Sequence, residues 1–575
     1  MLSNRMFLSG LVLLSCFALG LANIEGTDQP QGTCLCVTTN GVNVRNPACG
    51  TVVGSTNLGN CYVASGNNEW CTLETGLHHF FQVEDFNGSP AWIAGSLLNT
   101  ATPTDCNTTP PPTGEEFRSV WISTVHNLDW PTSRTATPAQ QQADLRGIFD
   151  HMVQLNMNVM IFQIRPVGDA LYQSNIEPWS FFLTNSQGTA PNPIWDPLAF
   201  AITEAHARGI ELHAWLNPYR ANLRPNTDGL APNHMAFRYP DFAYPYGRQL
   251  WMDPGVTVVQ DHLHTVVMDV LNRYDVDGIH FDDYFYPYPV SGVDFPDALT
   301  YAGYIADGGT LSLADWRRDN NNRMVQRLHT SIKAAKPHVK FSISPFGIYR
   351  PCQTGGMPCS IRGFDQYSGL YADPKLWLEN GWMDYLAPQL YWEIDPPAQS
   401  YPVLLDWWLQ VNTQNRHVYA GNAVYKLINN DWPANEIVNQ VGVSRQWADR
   451  LSLGNVLFRY GQLRSNTKSI SDLLRQGVYN QPALIPEMSW LPNSLIPNDP
   501  INIQYNSSTL TWDLPKGPDV RFYAIYTENR GQMLLRKVLG AETRHERLQI
   551  TAGKIGVQAI GKGGRRGKVI LIKVD

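Results

Sequence analysis

The sequence predicts an α/β chain: a closed (β/α)8 barrel flanked by a small disulfide-rich β domain and a C-terminal β-sandwich. Three observations predict it. Eight short apolar runs between residues 115 and 490 alternate with segments whose apolar residues recur three and four apart. The first run is not followed by the glycine-rich phosphate turn that an open doubly wound sheet would want. Proline-rich breaks, at Thr109-Pro110-Pro111-Pro112-Thr113-Gly114 and again between Leu491 and Pro500, set this region off from its neighbours. A chain of 575 residues has room for three or four domains at about 150 residues each.

At the start, Arg5 precedes an apolar run from Met6 to Leu21, and Gly20-Leu21-Ala22 offers the small side chains a signal peptidase reads. Residues 1–22 are therefore expected to be a cleaved signal peptide, and the protein to be secreted. Cys16 leaves with it. The remaining cysteines, Cys34, Cys36, Cys49, Cys61, Cys71, Cys106, Cys352 and Cys359, are even in number, as disulfides in a secreted chain require. Six of them fall within residues 34–106, so residues 23–108 form the disulfide-rich β domain, with 109–114 as a stiff linker. The spacing repeats no paired C-x-x-C and has no nearby histidine to complete a tetrahedron, so no metal is expected. Asn87, Asn107 and Asn506 stand in glycosylation sequons.

The barrel strands are expected at Phe117–Thr124, Asn158–Arg165, Ile210–Pro218, Gly278–Tyr284, Lys340–Gly347, Tyr385–Trp392, His417–Tyr425 and Asn455–Tyr460. Between them, Leu145, Phe149, Met152 and Leu155, or Val259, Leu263, Val266 and Val270, mark amphipathic helices. Helix starts are expected at Thr137-Pro138, Asp196-Pro197, Asp253-Pro254 and Asp373-Pro374, where an N-cap acceptor precedes a first-turn proline. Beyond the second break, seven short strands between Ile501 and Val574 suggest a sandwich over residues 498–575, read as a packing module.

Composition limits the function. Charged residues are 16% of the chain against a usual ~25%, while 18 Trp, 25 Tyr and 21 Phe bring aromatics to 11%. A net charge of −7 offers no general basic surface for nucleic acid or anionic lipid. No segment after residue 22 is long and apolar enough to span a membrane. Neither nucleic acid nor membrane is expected as a partner. Aromatic abundance with low charge suits a polysaccharide.

In a barrel enzyme the site lies at the C-terminal ends of the strands. Polar and aromatic residues gather there: Gln163, Arg165 and Asp169 after the second strand, and Trp215, Asn217, Tyr219 and Arg220 after the third. His280, Asp282, Asp283 and Tyr284 follow at the fourth, and Gln389, Tyr391, Trp392 and Glu393 at the sixth. Strand alternation sends one of Asp282 and Asp283 into the mouth and the other toward a neighbour. Two adjacent carboxylates, with His280 two residues behind, can raise one pKa and hold the other group ionised. The competing reading has them cap a helix or pair with Arg165 and Arg220. Glycoside hydrolysis needs two carboxyl groups, and Glu393 is the expected second beside Asp282 or Asp283. Arg165, Asp169, Asn217, Tyr219, Arg220, His280, Tyr284, Tyr391 and Trp392 are expected to bind the sugar. No G-x-S-x-G elbow, H-E-x-x-H or P-loop points to other chemistry, and His262 and His264, two apart on a helix, face different ways. No cofactor is expected.

The segments Phe117–Ile122, Gln163–Pro166, Gly168–Tyr172, His213–Arg220, Gly278–Pro287 and Ala387–Trp392 resemble the glycosyl hydrolase-like 10 family. The resemblance implies a β/α barrel and a hydrolase of N-acetylhexosamine polymers, including peptidoglycan strands stripped of their stem peptides. It points to Asp282 and Asp283. Ile496–Asp575 is similar to a fibronectin type III module. Gly41-Val42-Asn43-Val44-Arg45 with Gly50, Gly54, Gly59 and Ala91–Ala94 looks like a bacterial SH3 domain of the kind that binds wall peptides, from which it departs by its six cysteines. The alternative to an enzyme is a polysaccharide-binding, lectin-like or extracellular-matrix protein that keeps the same aromatic groove.

Overall fold

The computed structural model describes residues 34–37, 42–46, 48, 51–56, 61–73, 76–86, 89–101 and 114–574, save 397, 515, 518 and 530. The expected signal peptide, the linker 109–113, Cys49, Cys106 and the side chains of Cys34, Cys36 and Cys61 lie outside the described residues. The chain forms two units, dividing at Pro112 and Thr113.

The first unit holds one antiparallel sheet in the order Thr51–Thr56, Val42–Asn46, Ser89–Ala94, Gly76–Phe86, Cys61–Leu73, Cys34–Val37, Leu98–Ala101. Its alternating residues Val42, Val44, Phe81, Val83, Ala91 and Ile93 meet in one core. Phe80 and Trp92 pack with Cys71 in a second, smaller cluster, and Cys71 is disulfide-bonded.

In the second unit all eight expected strands form and close into a parallel barrel. They are β1 (Phe117–Ile122), β2 (Val159–Arg165), β3 (Glu211–Leu216), β4 (Gly278–Phe281), β5 (Lys340–Ile343), β6 (Tyr385–Leu386), β7 (His417–Ala423) and β8 (Ser452–Phe458). β8 returns to β1 with Val456 opposite Ser119. Period-two alternation sorts the side chains. Val120, Ile122, Met160, Phe162, Leu212, Ala214, Ile279 and Phe281 face the surrounding helices. Phe117, Trp121, Val159, Ile161, Trp215, Tyr385, Tyr419 and Val456 fill the interior, and Ile485, Met488 and Leu491 close its lower end. Each such buried side chain contributes roughly 1.5–3 kcal/mol.

β5 and β6 are shorter than the apolar runs suggested. Pro345 and Pro388 lack the N–H a ladder needs, and pairing resumes only as single bridges, Phe346 with Gln389 and Gln389 with Gly421. Thr137, Asp196 and Asp373 cap their helices as expected, Thr137 in a reciprocal capping box with Gln140. Asp253 does not: its carboxylate turns onto the Gly255 N–H, and the helix begins at Thr257. A three-stranded ribbon, Arg220–Asn222, Gln249–Met252 and Ala243–Tyr246, follows β3.

Residues 501–574 form sheets of three and four antiparallel strands around Leu510, Trp512, Tyr523, Ile525 and Val557. One strand runs His545–Arg547 where Arg547–Thr551 was expected. Cys352 and Cys359 form the expected local disulfide. Among the described residues no helix is long and apolar enough to cross a membrane.

Candidate active site

β4 delivers Asp282 and Asp283 to the barrel mouth, each only 4% exposed. Asp282 is held from β3: Trp215 Nε1 donates to its Oδ2 at 3.1 Å, and Asn217 Nδ2 to both oxygens at 3.0 and 3.1 Å. Asp283 is held from farther along the chain: Gln389 Nε2 donates to Oδ1 at 3.0 Å, and the Tyr288 hydroxyl to Oδ2. Gln389 is itself fixed by a second bond to the Ser344 carbonyl at 3.0 Å.

These surroundings set the charge of the pair. Burial, then the neighbouring Asp283 charge, pushes the Asp282 carboxyl up to about 7, against the opposing pull of Arg220, Asn217 and Trp215. Burial also raises Asp283, countered by Tyr288 and Gln389. Two adjacent carboxylates cannot both ionise cheaply. Burial and like charge together thus disfavour full ionisation of the pair, most strongly at Asp282.

Around the pair stand partly exposed aromatics. Tyr284 meets Tyr288 edge to face at 5.5 Å, and the Arg220 guanidinium lies 5.2 Å from the Tyr284 ring centre. Phe346 contacts Trp392 at 5.6 Å and Phe364 at 5.4 Å, and Phe364 lies 5.3 Å from Tyr288. Tyr391 stacks on Phe458. Such faces take sugar rings by their C–H surfaces while carboxylates and amides take the hydroxyls.

Several of the residues expected to bind the sugar are buried. Arg165 is fully buried: it grips Glu177, with Nε to Oε2 at 2.7 Å, and donates through Nη1 to the carbonyls of Asn217 and Pro218. A charge inside a protein needs such a partner, and this one pins the end of β3 that carries Asn217. His262 closes the same network on Glu177 at 2.9 Å, while His264 reaches Ser331, so the two histidines do face different ways. Asp169, pushed up to about 6 by burial, ties its own loop through the Phe181 N–H and Gln187. Tyr219 is buried in the outer core.

His280 lies two residues before Asp282, inside the barrel. It is fully buried, taking the Trp121 indole N–H on Nε2 at 3.1 Å and meeting Ser342 Oγ through Nδ1 at 2.8 Å. Burial, with His213 nearby, keeps it neutral. Glu393 is half-buried on the loop after β6, and neither a hydrogen bond nor an ion pair joins it to Asp282 or Asp283; its charge acts on Lys426 and Glu436.

Reading strand ends alone missed Tyr288, Phe346, Phe364 and the roles of Trp215 and Gln389. For the last two the signal was present. Trp215 and Asn217 share a period-two face with His213, as Gln389 does with Tyr385 and Ala387.

Residues 116–436 match the glycosyl hydrolase-like 10 family. The chain is 40% identical over 386 residues to the glycosyl hydrolase YngK of Bacillus subtilis (strain 168), covering 66% of this chain and 75% of that protein. It is 36% identical over 378 residues to the glycosyl hydrolase DigH of Escherichia coli (strain K12), covering 61% and 85%. Among solved structures it is similar to the glycoside hydrolase domain of PgaB (BpsB) from Bordetella bronchiseptica, at 12% identity and a TM-score of 0.40, covering 63% and 98%. The family match takes in more than half of the chain and includes the carboxylate pair with all the groups that hold it, so the protein belongs to the glycosyl hydrolase-like 10 family and is a glycoside hydrolase.

Proposed function

We propose that the protein is a secreted hydrolase of N-acetylhexosamine polymers, with peptidoglycan glycan strands as substrate, working through the Asp282–Asp283 pair. The observation that carries this reading is the unequal surroundings of two adjacent buried carboxyls: burial and the neighbouring charge push Asp282 up to about 7, while hydrogen bonds from Tyr288 and Gln389 counter the rise at Asp283. Asp282 gives its proton to the leaving glycosidic oxygen as the bond to the anomeric carbon breaks. Asp283, ionised, stabilises the positive charge developing on the sugar. Water then adds to the anomeric carbon and its proton returns to the pair. The aromatic residues Tyr284, Phe346 and Trp392 hold the rings on either side.

The relatives named as glycosyl hydrolases support the reaction class. The SH3-like resemblance of the first unit supports a wall-associated substrate, and the fibronectin type III-like resemblance fits a module appended to such an enzyme. The test is incubation of the purified protein with stem-peptide-free peptidoglycan strands, chitin and glucosamine polymer, reading released sugars by mass spectrometry. Fragments from the first are expected. Binding without release from any of the three would favour the lectin-like alternative.

A further inference from the structure

Asn217 is the residue through which β3 grips both oxygens of Asp282, and each of its own hydrogen-bonding groups is engaged. Its backbone N–H donates to the Arg165 carbonyl at 2.9 Å. Its carbonyl accepts from Nη1 of the same arginine. The side-chain Oδ1 accepts the Arg220 N–H at 2.9 Å, which leaves Nδ2 to face the Asp282 carboxylate. An asparagine amide has one accepting and one donating end, so its orientation on Asp282 is fixed.

Sheet pairing does not supply this precision. The register of β3 against β2 shifts between Trp215 and Leu216, so Asn217 lies just where the regular ladder has ended. Arg165 and Pro166, at the end of β2, take over. Arg165 clamps Asn217 at both of its peptide groups and donates to the Pro218 carbonyl at 3.1 Å. The Pro166 carbonyl holds the Arg220 guanidinium at 3.2 and 3.1 Å.

The Arg165 guanidinium is aimed in turn by Glu177, with Nε to Oε2 at 2.7 Å and Nη2 to Oε1 at 2.5 Å. His262, on the helix Thr257–Arg273, meets the same Oε1 at 2.9 Å. The side chains of Arg165 and Glu177 are fully buried and that of His262 is 2% exposed. A buried ion pair gives little stability that apolar side chains of similar volume would not give. What apolar side chains cannot supply is a rigid, planar donor edge, aimed here at two consecutive carbonyls of the turn that carries Asn217.

We propose that Arg165, Glu177 and His262 are positioning residues of the reaction: through the clamp on Asn217 they hold its amide against Asp282 and so set how readily that carboxyl gives up its proton. This rests on the reading of Asp282 as the acid and deepens it. The bonds from Asn217 and Trp215 favour the ionised form of Asp282, against burial and the Asp283 charge; Arg220, Tyr284 and Tyr288 are the other ionisable groups that interact with it. Arg165 and Glu177 neutralise each other, so their influence on Asp282 is exerted through position. Loosening the amide removes support from the ionised form, and the acid then keeps its proton to higher pH.

The test replaces the network by apolar side chains. Arg165→Met/Glu177→Leu/His262→Leu removes the paired charges of Arg165 and Glu177 together, and its melting temperature is expected to stay within about 5 °C of the unmutated protein. On stem-peptide-free peptidoglycan strands its kcat is expected to fall about ten- to hundredfold, as for a misplaced reacting group, with KM changed by less than about twofold. The alkaline limb of its kcat–pH profile is expected to move to higher pH. Arg165→Lys, which keeps the charge but loses the planar fork, and Asn217→Ala, which removes the amide and leaves the network in place, are expected to move the limb the same way. Unchanged kcat with an unmoved limb in the folded triple variant overturns the proposal. So does a loss in which KM rises while the limb stays, the signature of a sugar contact. If the triple variant does not fold, the two single variants decide, and a limb that stays in place in either overturns the proposal. Full turnover in Asp282→Asn would instead sink the reading of Asp282 as the acid.

Discussion

Asp282 and Asp283 have the same chemistry and adjacent positions, and differ only in their partners. Asp282 is expected to work as the acid, so activity should fall as pH rises through about 7, where burial and the Asp283 charge place its carboxyl. Asp282→Asn is expected to lower kcat by about 10²–10⁴-fold, the usual range for a general acid. Asp283→Asn removes the like charge that helps raise Asp282. In its residual activity the alkaline limb of the kcat–pH profile should therefore move to lower pH; a limb that stays in place would reverse the assignment of roles. Glu393→Gln should retain most of its turnover, because that carboxylate acts on Lys426 and Glu436; a loss as deep as that of Asp282→Asn would restore it as the second carboxyl. At this scale the sequence was legible where chemistry and strand-end position coincided, as at Asp282, Asp283 and Asn217. It misled where a polar residue near a strand end was buried as an internal strut. Arg165 and Asp169 look like groove residues until Glu177 and the Phe181 N–H are seen to occupy them.

The barrel strands could be read from sequence because parallel strands covered on both faces become continuous apolar runs. Their ends could not be fixed so easily, since Pro345 and Pro388 end the ladders inside apolar stretches. The interior shows why one position admits no side chain. A Cβ on Gly278 would lie 2.7 Å from the His213 ring, which crosses from β3 toward β4. His213 is anchored on both sides, to Tyr385 OH at 2.7 Å through Nδ1 and to Glu211 at 3.1 Å through Nε2, while Lys340 reaches the same carboxylate at 2.6 Å. Burial alone would raise the Glu211 carboxyl, but Lys340 and His213 hold it below its ordinary range. Gly278→Ala is therefore expected to cost about 1–3 kcal/mol through overpacking, read from urea unfolding midpoints. Gly303→Ala, on an exposed helix with no atom in the way, serves as the control.

The C-terminal sandwich and the barrel are tied into one unit by charge. Arg521 pairs with Asp275 at 2.7 Å and Asp277 at 3.0 Å, and His206 Nε2 lies 2.7 Å from Asp277. Gly540 allows close approach beside them, since a Cβ there would lie 2.4 Å from the His206 carbonyl. Arg521→Met leaves Asp277, 2% exposed in its side chain, to His206 and the Leu212 N–H alone, and should lower stability by roughly 1.5–3 kcal/mol, as loss of a hydrogen bond to a charged group does. Burial alone would raise Asp275, but Arg521 and Lys562 bring it down to about 2, and Asp277 is depressed likewise. Groups depressed on folding stabilise fully above their unfolded pKa, near 4, and lose that contribution as pH falls toward 2. Thermal unfolding across that window should show a steeper loss in the unmutated protein than in Arg521→Met; parallel curves would show that the joint does not depend on these charges. By itself the sequence determined the barrel, its flanking β regions and the acidic end of the fourth strand, because alternation, strand count and residue type are local properties. Only the tertiary structure decided which buried charges were already partnered and how differently the two adjacent carboxyls are surrounded. Those depend on distance and desolvation between residues far apart in the chain.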